Sequence, residues 1–405
     1  ELEKLYTKIP RAQLGFFPTP LYKVENVSKD LGIELYLKRD DITGPSVFGG
    51  NKIRKLEFLL GDAIDKGASY VITHGATQSN HAMQTVTACN KLGLKTILYL
   101  VAVVSPDEND LKSNLLLDNV LGAEINVINL EDGMTEADGE KLGLKLAQEK
   151  IEELKKEGIY TYEVPIGGST AVGALGFSKG YLEYARQLEE KSLEEADYMF
   201  ITAGSGGTLG GLLAGKKLLE SDTNILGIAV SPKDERYKDK VATLANDSLK
   251  LLGVEKSITR DDVNIDENYI GEGYEVPTEE ASEAIKYFAR REGIILDPVY
   301  TGKAMSGLID YVKKGKIPQG SKVLMTYGGG SIKKNGVYDQ AVKALSGYEW
   351  HEFGGIEPNP HYETCMKAVA VIKEKGIDFI LSVGGGSVLD ATKFISAAVY
   401  FEEGD

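Results

Sequence analysis

An α/β fold, with parallel sheets covered by helices, is what this sequence predicts, and three observations predict it. Short β-branched or apolar runs alternate with amphipathic helical stretches almost throughout. Glycine-rich turns stand directly before helices at 49–50 and 203–207, as in sheets whose strands feed helices across tight turns. At 405 residues the chain exceeds what one hydrophobic core organises, so two or three domains are expected, and 42% hydrophobic with 26% charged residues is an ordinary globular composition.

The elements follow in chain order. Strands are expected at 34–37, 70–73, 96–101, 198–202, 225–230 and 322–326. Between the first two lies a helix at 53–66, with Ile53, Leu56, Leu60, Ala63 and Ile64 at helical spacing and Gly67 as its stop. A second helix is expected at 82–92. The stretch 140–158 is strongly charged and reads as a surface helix close to a change of domain. A further change falls near 318–322. Beyond it, the tetrapeptide Gly-Gly-Gly-Ser occurs twice, at 328–331 and 384–387, in a strand, turn and helix pattern typical of a separate nucleotide-binding module.

Bulk properties exclude several classes. A net charge of −15 leaves no basic patch for a phosphate backbone, so nucleic acid is not an expected partner. Cys89 and Cys365 are too few and too far apart for a disulfide framework or a metal site, which suits a reducing compartment. No stretch resembles a signal peptide or reaches the length of a membrane span, and a cytoplasmic protein is expected. A start at Glu1 rather than Met implies that leading residues were trimmed.

Four polar motifs carry candidate chemistry. In Gly49-Gly50-Asn51-Lys52-Ile53-Arg54-Lys55, two glycines permit close ligand approach, and the positive helix end disfavours a protonated amine on Lys52, keeping it available for imine formation. The alternative is that Lys52, Arg54 and Lys55 form a solvated basic face. Thr77-Gln78-Ser79-Asn80-His81 offers donors at a helix start to a carboxylate, or only an N-cap by Ser79 or Asn80, with His81 structural. Ala203-Gly204-Ser205-Gly206-Gly207-Thr208 suits a monophosphate. It fits a dinucleotide poorly, because Leu209 stands where a third glycine is needed. Leu296-Asp297-Pro298-Val299-Tyr300-Thr301-Gly302-Lys303, together with Tyr274, supplies phenols that stack on a flat ring or move a proton, or else are two buried tyrosines among 21.

In this order the motifs resemble those of the fold-type-II pyridoxal-phosphate (PLP) enzymes of the D-cysteine desulfhydrase and ACC-deaminase family. The resemblance covers about residues 1–325, from Phe17-Pro18-Thr19-Pro20-Leu21 and Lys38-Arg39-Asp40-Asp41 onward. It implies two open parallel-sheet domains: a large PLP domain from 1–52 and 166–325, and a small substrate domain from 53–165. It implies that Lys52 holds PLP as a Schiff base beside Asn51, that Gly204, Ser205, Gly206, Gly207 and Thr208 cradle its phosphate, and that Gln78, Ser79, Asn80, His81 and Thr301 meet the substrate. Tyr274 and Tyr300 would lie beside the ring and the leaving group.

The implied reaction is β-elimination from a D-amino acid, D-cysteine giving pyruvate, ammonia and sulfide, in a homodimer. Thr301 favours this over ACC deamination, since the deaminase pattern has Glu after that tyrosine. Gly328 stands where the family's threonine would meet the pyridine nitrogen. From there on, Gly354-Gly355-Ile356-Glu357-Pro358-Asn359-Pro360 and Gly384-Gly385-Gly386-Ser387-Val388-Leu389-Asp390 are similar to the N-terminal, Rossmann-like region of iron-type alcohol dehydrogenases. The chain thus resembles a fusion joined within 321–324. After the junction His351 and His361 are the only histidines and do not sit in a metal-ligand arrangement, so this part is expected to be a fragment without iron or oxidation activity.

Overall fold

A computed structural model describes residues 2–44, 49–107, 110–318, 322–325, 362–375 and a few positions from 392 to 399. The chain divides into two compact units, residues 1–328 and 329–405.

The first unit is built on two sheets. Strands β1 (Leu21–Lys23), β2 (Glu34–Lys38), β7 (Tyr198–Ala203), β8 (Asn224–Ala229), β9 (Asn264–Asp266) and β10 (Lys322–Met325) form one, in the order β1-β2-β10-β7-β8-β9. Strands β3 (Tyr70–Ala76), β4 (Lys95–Ala102), β5 (Glu124–Asn129) and β6 (Thr161–Val164) form the other, in the order β5-β4-β3-β6. Among the described residues only the β1–β2 pair is antiparallel. Each expected strand is present within a few residues. The central ones are apolar along their whole length, as strands covered on both faces must be: Leu98, Leu100, Phe200 and Ile228 are fully buried.

Helices α1 (Glu25–Leu31), α2 (Lys52–Asp65), α3 (Asn80–Leu92), α4 (Ser113–Val120), α5 (Glu136–Lys156), α6 (Ala171–Glu190), α7 (Gly207–Leu219), α8 (Tyr237–Leu251), α9 (Glu279–Glu292) and α10 (Thr301–Lys313) connect these strands. Their starts are written locally. Ser79, Thr170 and Thr278 each accept a hydrogen bond from a backbone N–H in the first turn of α3, α6 and α9, and Thr135 with Asp138 makes a capping box on α5. The long charged helix of the sequence is α5, four residues ahead of its expected start.

One element differs in kind from its sequence reading. Helix α2 is buried nearly all round rather than amphipathic, because α3 and α6 both pack against it. Arg54, Lys55 and Glu57 are 4%, 1% and 2% exposed, whereas Ile64, expected on its apolar face, is 46% exposed. The solvated basic face is therefore not formed. Its charges are matched inside the protein: Arg54 donates to Asp40 and Glu183, and Glu57 accepts from Arg11 and from the backbone of Leu14 and Gly15.

In the second unit, helix α11 (Tyr362–Lys375) buries Cys365, Ala368, Val369 and Ile372 against Ile395, with the Tyr362 and Phe394 rings edge to face. Gly328, both Gly-Gly-Gly-Ser turns, His351, His361 and most of the expected Rossmann-like segment lie outside the described residues.

Candidate active site

Lys52 opens α2, and the glycines before it serve geometry. Gly50 has φ 158° and lies so close to Gln84 of α3 that a Cβ there would stand 2.7 Å from the amide. The Gln84 carbonyl in turn accepts the Lys52 backbone N–H at 3.2 Å. The Lys52 amine donates to Asn51 Oδ1 at 3.2 Å, and burial lowers its pKa from 10.5 to about 8. A lysine near neutrality is a nucleophile and a base that an exposed lysine is not.

His81 lies in the first turn of α3. Thr73 Oγ1 donates to the Val164 carbonyl at 2.7 Å, so it accepts from His81 Nε2 at 2.8 Å, leaving Nδ1 as a bare acceptor. That nitrogen is buried without a partner among the described residues. Burial, and the charges of Lys52 and Lys55, push the His81 pKa well below its ordinary value, so the ring is neutral. Ser79 is the helix cap. Gln78 and Asn80 are exposed and tied to the start of α4: Asn114 donates its backbone N–H to Gln78 Oε1 at 3.0 Å and its Nδ2 to Asn80 Oδ1 at 2.8 Å.

The glycine turn after β7 opens α7. Gly206 has φ 98°, a left-handed conformation suited to glycine. A Cβ on Gly207 would fall 2.7 Å from Ser169 Oγ and 3.0 Å from Lys55 Nζ. Ser169 Oγ donates to Ser205 Oγ at 2.7 Å and accepts the Gly207 N–H at 3.2 Å. The buried Lys55 amine donates to the Gly167 carbonyl at 3.0 Å, and burial and neighbouring lysines press its pKa far down. Lys55 thereby spans from α2 to the glycine turn. Tyr237, at the start of α8, brings a buried hydroxyl without a partner among the described residues to within 3.6 Å of a Cβ built on Gly206.

Sequence reasoning gave Lys55 no role beyond a solvated basic face, and it passed over Ser169 and Tyr237. The stretch Gly167-Gly168-Ser169-Thr170 before α6 was the available signal for Ser169. Lys55, one turn beyond Lys52, needed its burial to be known. Nothing local marks Tyr237.

A second group forms at the start of α10. The Tyr274 and Tyr300 hydroxyls are hydrogen-bonded, with ring centroids 5.9 Å apart and edge to face. Burial raises the pKa of both, so both keep their protons near neutrality. Asp297 accepts from the backbone of Val299, Tyr300 and Thr301. The Thr301 hydroxyl also donates to Asp297, at 2.6 Å, and accepts the Asp297 N–H, so its hydrogen bonds stay within the helix cap.

These features define a class: an α/β enzyme in which a lysine of lowered pKa shares a charged neighbourhood with a glycine cradle suited to phosphate. Comparison with known proteins names it. Residues 12–329 match the model of the pyridoxal-phosphate dependent enzymes, and residues 299–403 that of the iron-containing alcohol dehydrogenases. A putative 1-aminocyclopropane-1-carboxylate deaminase of Pyrococcus horikoshii is 41% identical over 342 residues, 84% of this chain and 97% of that one. The D-cysteine desulfhydrase of Salmonella newport is 38% identical over 327 residues, 80% and 95% of the two chains. The crystal structure of an ACC deaminase homologue, 40% identical, superposes with a TM-score of 0.72 over 85% of this chain and 98% of that one. A PLP-dependent aspartate racemase, 14% identical with a TM-score of 0.55, shares the fold.

The chain belongs to the pyridoxal-phosphate dependent enzyme family and has its fold-type-II architecture. The residues present fit that cofactor: the lowered amine of Lys52 suits its aldehyde, while the Gly206–Gly207 cradle, the Lys55 amine, which a phosphate's charge would favour in its protonated form, and the Tyr237 hydroxyl suit its phosphate. Among the described residues no cluster of His, Cys, Asp or Glu is able to hold a metal ion, and no helix is long and apolar enough to cross a membrane.

Proposed function

We propose that this chain is a lyase that eliminates the β-substituent of a D-amino acid, D-cysteine plus water giving pyruvate, ammonia and hydrogen sulfide. The observation that carries this reading is the hydrogen-bonded phenol pair, Tyr274 with Tyr300, both held protonated by burial. A departing thiolate needs a proton donor, and a buried phenol is one. When bound, PLP supplies the electron sink that makes the substrate's α-proton acidic. Lys52, Asn51, Lys55, Gly204, Ser205, Gly206, Gly207, Thr208 and Tyr237 would hold it. Lys52 Nζ takes the α-proton. Ser79, Asn80 and Gln78, at the positive end of α3, orient the carboxylate, with the neutral His81 ring beneath them. Tyr300 Oη gives its proton to the leaving sulfur and is reprotonated from Tyr274, which regains its own from the water that enters for hydrolysis.

The second reading, ACC deamination, is favoured by the name carried by the Pyrococcus relative. Against it stands Thr301, a neutral side chain where the deaminase pattern has Glu. Sulfide release from D-cysteine is expected to exceed ammonia release from ACC, and a preference for ACC would reverse the assignment. Lys52→Ala should lose the visible absorbance of bound cofactor and all turnover while keeping its circular dichroism. A borohydride-stable cofactor adduct in that variant would place the anchor on another lysine.

The reading includes a small substrate domain at 53–165 within a large domain made of 1–52 and 166–325. The four-stranded sheet, whose strands all fall between Tyr70 and Val164, supports that division. It also includes a cytoplasmic homodimer, which light scattering tests.

A further inference from the structure

Lys303 is 0% exposed, and among the described residues its ammonium is held by backbone alone. It donates to the carbonyls of Ile270 at 2.8 Å, Gly273 at 2.8 Å and Tyr274 at 3.3 Å. An ammonium has three protons, and here each has an acceptor. Three carbonyls that converge in the protein interior repel one another and leave costly unpaired acceptors unless a cation lies between them. The loop they belong to connects β9 to α9 and carries Tyr274. Lys303 lies one turn beyond Tyr300 on α10. The same helix end therefore grips the loop's backbone through Lys303 and meets the loop's phenol through Tyr300.

We propose that Lys303 is a positioning residue, a built-in cation whose three hydrogen bonds set residues 270–274 so that the Tyr274 hydroxyl reaches Tyr300. It touches neither substrate nor cofactor and acts through the phenol pair. The proposal rests on the reading above, in which that pair delivers the proton to the leaving group.

The chemistry predicts that a small free cation can substitute for the missing ammonium. In Lys303→Ala the carbonyls would surround a space the size of the lost side chain's end, and ammonium ion, a donor of the same kind, is the probe. The full chain is prepared as parent, Lys303→Ala, Lys303→Gln, Tyr274→Phe and the Lys303→Ala/Tyr274→Phe double variant. Lys303→Ala should titrate with PLP as the parent does, while kcat for D-cysteine falls roughly 100-fold, the order contributed by a positioned proton donor. Amide exchange at 270–274 should quicken. Ammonium chloride, but not equal choline chloride, should restore both the rate and the protection.

On the Tyr274→Phe background, Lys303→Ala should add less than about threefold, since both changes break one relay. Fully multiplicative losses, unchanged turnover, or a loss explained by weaker PLP binding would overturn the proposal. Should Lys303→Ala fail to fold, Lys303→Gln keeps one or two donors and decides the same questions. A parent that binds no PLP at Lys52 would defeat the reading of function. The exchange and ammonium arms would still judge the clamp.

Discussion

At the scale of single residues, two orphaned polar atoms carry the clearest expectations. The Tyr237 hydroxyl is buried with no partner among the described residues, which costs about 1–3 kcal/mol unless a ligand supplies one. A bond to a charged phosphate would return about 1.5–3 kcal/mol. Tyr237→Phe should therefore weaken PLP binding by roughly 10- to 100-fold in an equilibrium titration, while slightly stabilising the ligand-free protein against urea. Equal affinity would mean that the phosphate does not reach this phenol. His81 stays neutral in the folded protein, whereas the unfolded chain takes up a proton below about pH 6.5. Its contribution to folding is thus unaffected above that pH and becomes a penalty below it. His81→Gln should flatten the decline in unfolding free energy between pH 6.5 and 5, and an unaltered slope would show that the ring gains a proton in place.

At the scale of elements, α2 is fastened by a buried charge cluster. Arg54, at 4% exposure, joins Asp40 beyond β2 and Glu183 on α6, while Lys38 of β2 adds bonds to Glu183 and to Gln187. Arg54→Met removes the shared cation and leaves two buried carboxylates, a loss of about 3–5 kcal/mol, read as a lower urea midpoint. A drop below 1 kcal/mol would mean that Lys38 alone satisfies them. Burial by itself would raise the Glu183 pKa, but the bonds and charge of Arg54, then Lys38, outweigh it and hold the group at about 2 instead of 4.5. The stability this gives is complete above pH 4.5 and is lost as pH falls through 2. Glu183→Gln should remove that part of the acid transition.

Although β1, β5, β6 and β9 were not foreseen, the central strands were legible in the sequence because period and β-branching are local properties. So was the lysine at the head of α2, since glycines followed by a helical pattern need no tertiary knowledge. The burial of Arg54 and Lys55 was not legible. It depends on partners 129 and 112 residues away in the chain, and no window of sequence contains both ends. The same distance effect hid Tyr237 and Lys303, whose neighbours belong to other elements.

At the scale of the whole molecule, β10 is the last strand of its sheet in sequence and an interior one in space, parallel to β2 on one side and to β7 on the other. Ending the chain at Pro318 should leave the sheet in two parts and give an aggregating product, whereas ending it at Gly328 should retain a cooperative melt and PLP binding. Equal solubility of the two truncations would show that the gap closes without β10. The placement also sets a clock for the newborn chain. From Lys38 to Lys322 there are 284 residues, 322 minus 38, which a ribosome working at about 5–20 residues per second takes roughly 15 to 60 s to add. For that interval β2, and from residue 203 onward β7 as well, presents a bare row of backbone donors and acceptors to whatever strand arrives first. Holding those two edges apart from other chains until residue 325 emerges is therefore a demand on the cell's chaperones, written into the strand order itself.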